Sequence, residues 1–293
     1  NHLIMFLKQE CNFNVFKEVF ENSNDNTVKL ILLDFLSKAV FRNLSKVDNI
    51  DNDPNRGYRG YNSDYMKIEN EEYNVHLVNY FIYFLKVNSD NVPSYILNSI
   101  ADFIGNSIKY FIYGGVEIVN LIEIIQNSFF GNANNSKDVY AGIKIYFYTI
   151  TDILINTHHY EFFKFRRMLN YFQNHLLIRI LNNSRLITKH LLLNYNSHGI
   201  NEDLYSIILE IYFKCLIFPF NLSYFDFNTD ANLEEITLSI FPEEYAESIQ
   251  DLDFYDLLIL SLNFKISVKT SFKVVKIFSR ISSSRISLIS DEL

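Results

Sequence analysis

The side chains able to do chemistry in this chain come in small groups, and each group lacks part of what its chemistry needs. His158, His159 and Glu161 are three potential metal ligands. Adjacent histidines point in different directions on a helix, and no second cluster with ligand spacing accompanies them, so they read as a solvated loop end. Glu69, Glu71 and Glu72, then Glu234 with Glu235 and Glu243 with Glu244, could work as acid and base only inside a closed, dehydrated pocket. At helix starts the same residues are explained by attraction to the positive end of the helix dipole. The run Gly57-Tyr58-Arg59-Gly60-Tyr61 looks like an aromatic and arginine tract for single-stranded nucleic acid, but it occurs once, in an acidic loop, and reads as a linker.

No phosphate loop, dinucleotide fingerprint, nucleophile elbow or Cys/His zinc pattern is present. A carboxylate metal site in a helical bundle would need Glu-x-x-His elements on facing helices, and there are none. The expectation is a protein without catalytic, cofactor-binding or metal-binding residues. Two features remain. Arg166, Arg167, Lys265, Lys269, Lys273, Lys276, Arg280 and Arg285 form basic helix faces in an acidic chain, either solvated or binding a partner. Tyr80, Phe81, Phe84, Phe103, Tyr110 and Phe111 recur at helical spacing and read as core between helices.

The elements that carry these residues follow from composition. Of 293 residues 48% are hydrophobic and 20% charged, enough apolar side chain to build a large core. Aromatics are abundant (27 Phe, 20 Tyr, no Trp) while Gly (8) and Pro (4) are scarce. All-β folds need turn residues at short intervals, so the shortage favours helices joined by Asn- and Ser-rich loops. A net charge of −8 argues against binding a phosphate backbone and leaves a basic protein surface as the easier partner. Cys11 and Cys215 lie far apart inside apolar patterns and read as packed thiols in a reducing compartment. Asn79, Lys86, Asp152 and Asn263 interrupt the longest apolar runs, so no membrane insertion is expected. The closing Ser290-Asp291-Glu292-Leu293 is similar to a retention signal, a reading set aside because no leader precedes it.

Apolar residues at three- and four-residue spacing divide into paired blocks: 11–22 with 26–44, 71–88 with 92–113, 116–130 with 137–156, 160–193 with 202–218, and 242–263 with 268–282. Asn26 or Asp25 is placed to cap one helix, Pro93 to open another, and Gly114-Gly115 to stop it. Residues 45–69 read as a mobile loop and 221–239 as an acidic connection. Five pairs fit a repeat of about 40–47 residues. The predicted fold is all-α, an α-α superhelix of the HEAT/armadillo type running through 1–293 as one solenoid, in which stacked pairs cover each other's apolar faces.

Several runs resemble exportins of the importin-β superfamily, most closely the exportin-7 type. LYSIILEIYFKCLIFPF (204–220) is similar to a family helix ending in Cys-Leu-x-Phe-x-Phe, matched by Cys215, Leu216, Phe218 and Phe220. FPEEYAESI (241–249), with Tyr245 at the family's aromatic position, and the runs 254–264 and 278–289 continue the likeness. Upstream, 6–43 resembles the stretch from the end of the first repeat through the second, and 95–111 and 139–156 resemble the third and fourth inner helices, with Lys109 at a family lysine. The resemblance implies the N-terminal part of a nuclear export receptor whose first helix pair is mostly missing. It further implies binding of Ran-GTP, protein cargo and FG nucleoporins, no nucleic-acid contact, and shuttling between nucleus and cytoplasm. Lys38, Arg42, Asp102, Asn106, Lys109 and Asp152 are the polar inner-helix positions expected to meet Ran. A HEAT-type scaffold outside transport fits the helices and the acidity equally well.

Overall fold

A computed structural model describes residues 10–45, 71–131, 136–154, 162–193, 201–218, 248–249, 251–264 and 266–283. Their regular structure is helical, and no strand occurs among them. The helices are α1 (Glu10–Asn22), α2 (Asn26–Ser45), α3 (Glu71–Asn88), α4 (Ser94–Gly114), α5 (Val119–Phe130), α6 (Ser136–Leu154), α7 (Phe162–Phe172), α8 (Ile178–Leu193), α9 (Glu202–Leu216), α10 (Leu252–Asn263) and α11 (Val268–Ser283). A π-turn at Gln173–Leu177 fuses α7 and α8 into one continuous element.

The helix boundaries have local causes. The Asp25 carboxylate accepts from the Thr27 amide at 2.8 Å and so caps α2, resolving the choice between Asp25 and Asn26. Pro93 stands immediately before α4, where its missing amide costs nothing. Gly115 at φ 84° ends α4, and Val116 N donates to Phe111 O at 2.8 Å behind it, a left-handed cap that suits glycine. Asn201 caps α9 through Leu204 N, with Glu202 and Asp203 in the first turn and Lys214 in the last. Asp251 caps α10 through Asp253 N at 3.0 Å. Leu252 opens the described helix of the last pair, Ser248 and Ile249 just before it are also helical, and Pro242, where the sequence places the start of that pair, lies outside the described residues together with the 221–239 connection and the 46–70 stretch. Apolar spacing runs through that boundary unaltered; the capping carboxylate sets it.

Packing joins the helices into two layers. The second members of the pairs follow one another as α2, α4, α6, α9 and α11, with α4 on α6, α6 on α9 and α9 on α11 making the most extensive contacts. The first members lie alongside, α3 against α5 and α8 against α10. Each pair thus covers the apolar side of its neighbour, as stacked helical repeats do. Aromatics fill the seams. Phe20 meets Phe81 edge-on with centroids 5.5 Å apart, Phe81 meets Phe103 at 5.4 Å, Phe172 meets Phe218 at 5.5 Å and Tyr212 meets Phe254 at 5.2 Å. Tyr80, Phe81, Phe84, Phe103 and Phe111 are buried, as their spacing predicts, and Tyr110 is half-buried. Cys215 is a buried thiol, outside any disulfide, packed in the same core.

Candidate interaction surface

The most extensive contact in the stack is between α4 and α6. A Cβ added to Gly105 would come within 2.8 Å of Thr149 N, so only glycine lets the two backbones come this near. The approach brings polar side chains together along the seam. Asn106 Nδ2 donates to Asp102 O at 3.2 Å and to Asp102 Oδ1 at 3.4 Å, and both side chains are half-buried. Lys109 is buried and its Nζ donates to Asp152 O at 2.6 Å, placing an ammonium on a last-turn carbonyl of α6, at the negative end of that helix. Asp152 is only 9% exposed, and its Oδ2 lacks a hydrogen-bond partner. Burial above all, then the neighbouring Asp102 charge, pushes the Asp152 carboxyl up to about 7 against the opposing pull of Lys109 and Lys214. Burial raises Asp102 as well.

Of the six positions expected to meet Ran, four are thus neighbours: Asp102, Asn106 and Lys109 on α4, and Asp152 on α6. Lys109 and Asp152 join the two helices, while Asp102 and Asn106 keep part of their surface toward solvent. Lys38 and Arg42 fall on α2, and their side chains lie outside the described residues. So do His158, His159, Glu161, the carboxylate groups at 69–72, 234–235 and 243–244, the 57–61 run, Lys265 and Arg285. Among the described residues no group of three or more His, Cys, Asp or Glu is placed to hold a metal ion, and no helix is long and apolar enough to cross a membrane.

The seam continues across α9 and α11 as a row of lysines laid over aromatic rings. Lys144 Nζ lies 5.3 Å from the Tyr140 centroid on α6, Lys214 of α9 lies 5.7 Å from Phe147 of α6, and Lys276 of α11 lies 3.7 Å from Phe213 of α9. Burial lowers the Lys144 ammonium, an effect Asp203 of α9 opposes. Burial raises the Tyr140 phenol and Asp203 adds to it; Tyr148 is raised by burial and by Asp102, Tyr140 and Asp152. Two of these pairs, Lys214 with Phe147 and Lys276 with Phe213, escape a reading of the sequence because each spans two helices. Only the Tyr140 and Lys144 spacing of four residues signals a contact on one helix face.

Most of the basic positions on the late helices act as ties. Lys273 Nζ donates to Ser206 O at 2.9 Å and pairs with Glu210 at 3.2 Å, and Arg280 Nε donates to Leu216 O at 3.4 Å, both holding α11 on α9. Arg167 reaches Tyr113 O at 3.2 Å, holding α7 to the end of α4. Arg185 donates to Ser248 O at 3.1 Å and pairs with Asp251, fastening α8 to the start of α10 and holding the Asp251 carboxyl below its ordinary range. A separate recess of about 420 Å3 opens between α1, α2 and α3, with Lys17, Lys29, Tyr83, Val87 and Asn91 in its wall. No known protein family, curated protein or solved structure matches the chain.

Proposed function

We propose that the chain is a protein-docking helical array, and that it serves as part of a nuclear export receptor binding Ran-GTP and protein cargo. The observation that carries the docking reading is the seam over α4, α6, α9 and α11, where half-buried Asp102, Asn106, Tyr140, Lys144, Phe147, Tyr148, Phe213 and Lys214 alternate acid, base and aromatic. Aromatic side chains held by neighbouring cations give a partner rigid contact area, and the charges of both signs select its orientation. The runs at 95–111, 139–156 and 204–220 that resemble exportins lie on α4, α6 and α9, the same helices, which is why Ran-GTP is the partner we assign to it. In this reading Asp102 and Asn106 touch Ran, and Lys109 and Asp152 set the distance between the helices that present them.

Ran-GTP and cargo would each favour one curvature of the stack and so strengthen the other's binding, by a coupling of about 1–3 kcal/mol. The recess between α1 and α3 is the place we assign to FG nucleoporins, and shuttling between nucleus and cytoplasm follows from that assignment. The test is titration of the chain with Ran loaded with a non-hydrolysable GTP analogue or with GDP. A preference for the GTP form that Asp102→Ala weakens at least tenfold supports the export receptor. Equal or absent binding to both forms leaves a docking array that works outside transport.

A further inference from the structure

Two cations of α11 are spent on ties within the stack, Lys273 on Ser206 O and Glu210, and Arg280 on Leu216 O. Three lysines of the same layer are not. Lys144 of α6, Lys214 of α9 and Lys276 of α11 take no part in the ion pairs among the described residues. Each instead holds its ammonium over a ring, of Tyr140, Phe147 and Phe213 respectively. The three form one row. Lys144 and Phe147 lie one turn apart on α6, Lys214 covers Phe147, and Phe213, beside Lys214 in α9, is covered by Lys276. Because Lys276 reaches back over α9, the row runs along the flank of the layer and not across the outer side of its last helix. An ammonium over a ring is held in place with its charge intact and keeps N–H donors for a carboxylate. The acids around the row leave it basic: Glu202 and Asp203 sit in the first turn of α9, with Asp203 acting on Lys144; Glu210 is taken by Lys273; Asp152, on which Lys214 acts, is buried. α11 carries Lys269, Lys273, Lys276 and Arg280 and no acidic residue.

One lysine per helix sets a period that a partner must match. Packed helices lie about 8–10 Å apart. A polyproline II segment has about three residues per turn and rises about 3.1 Å with each, so every third side chain falls on one side, about 9 Å from the last. A β-strand puts same-side residues about 7 Å apart and runs out of step. Half-buried Phe147, Tyr148 and Phe213 give such a segment an aromatic floor between the charges. We propose that the row binds an acidic segment of another protein in the polyproline II conformation, with a carboxylate at every third residue to meet each lysine in turn. The inference rests on the docking reading of the seam but not on Ran, whose assigned contacts, Asp102 and Asn106, are on α4. Single-stranded nucleic acid suits the row less well. The ammonium groups occupy the ring faces on which bases would stack, and a chain of net charge −8 repels a polyphosphate.

Fluorescence anisotropy of a labelled peptide of Glu-Pro-Ala repeats, titrated with the chain, reads this directly. Binding is expected to be about tenfold tighter than to a peptide of the same composition with its glutamates gathered at one end, and to weaken as salt is added. Lys214→Gln and Lys276→Gln are each expected to weaken it about threefold with unchanged circular dichroism. Lys137→Gln removes the same charge from an exposed lysine beside Asp90 and is expected to leave binding unchanged. Equal affinity for the two peptides, an equal loss in Lys137→Gln, or no binding at all overturns the proposal. An oligothymidylate that binds more tightly than the repeat peptide overturns it in favour of nucleic acid. Ran is absent from these titrations, so the transport reading and this one fail separately.

Discussion

Asp152 and Asp138 show two ways in which this fold holds a carboxyl between helices. At Asp138 the charge is matched: Lys86 pairs with it and Ser89 Oγ donates to Oδ1 at 3.0 Å, joining the end of α3 to the start of α6. Asp138→Ala leaves Lys86 and Ser89 without that acceptor and is expected to cost about 1–3 kcal/mol in urea unfolding. At Asp152 Oδ2 lacks a hydrogen-bond partner, and burial makes the ionised form costly. Burial raises its folded pKa to about 7, above the ordinary carboxyl value of 3.8, so between these values the folded chain binds the proton and the unfolded chain does not. Stability from this group is greatest at low pH and is lost as pH rises toward and through 7. Asp152→Asn removes that loss. The variant is expected to match the wild type near pH 4 and to exceed it by about 1–2 kcal/mol at pH 8, as measured by urea midpoints at each pH.

For the helices, the deciding contact is the one that Gly105 permits. The α4 and α6 backbones close on each other there, and the row of lysines over aromatics depends on the resulting register. Gly105→Ala would drive a methyl group into Thr149 N and is expected to destabilise the chain by about 1–3 kcal/mol, outweighing any gain in helix propensity. Between α9 and α11, Lys276→Ala removes a cation 3.7 Å above the Phe213 ring. That change is expected to cost about 0.5–1 kcal/mol, and Lys276→Arg to restore most of it, in thermal unfolding.

At the level of the molecule, packing runs mainly between successive pairs, with α7 also lying on α4 in the middle, so damage should stay local at the ends and spread from the middle. Ile277→Ala, in the last pair, is expected to speed amide hydrogen exchange in α10 and α11 while leaving α4 and α6 protected. Phe103→Ala opens the centre, where Phe81 packs on it. It is expected to lower global stability by about 3–5 kcal/mol and to accelerate exchange across the whole stack.

The helices, their pairing and nearly all their ends can be read in the sequence, because helical period, scarcity of glycine and proline, and capping residues are properties of neighbours along the chain. Polar residues on one face, such as Asp102, Asn106 and Lys109, can be picked out by the same period. Their partners cannot. That Lys109 spends itself on a carbonyl of Asp152, that Lys214 lies over Phe147, or that Arg185 reaches Ser248 and Asp251 depends on the distance and register between helices far apart in sequence. Close packing at sites such as Gly105 sets that register, and a pattern confined to one helix has no access to it. The π-turn at Gln173–Leu177 belongs with these, since nothing in its residues breaks the helical period. Ran, cargo and transport are proposed from likeness of residue runs; what the packing adds is a row of half-buried charges and rings on the helices that carry them.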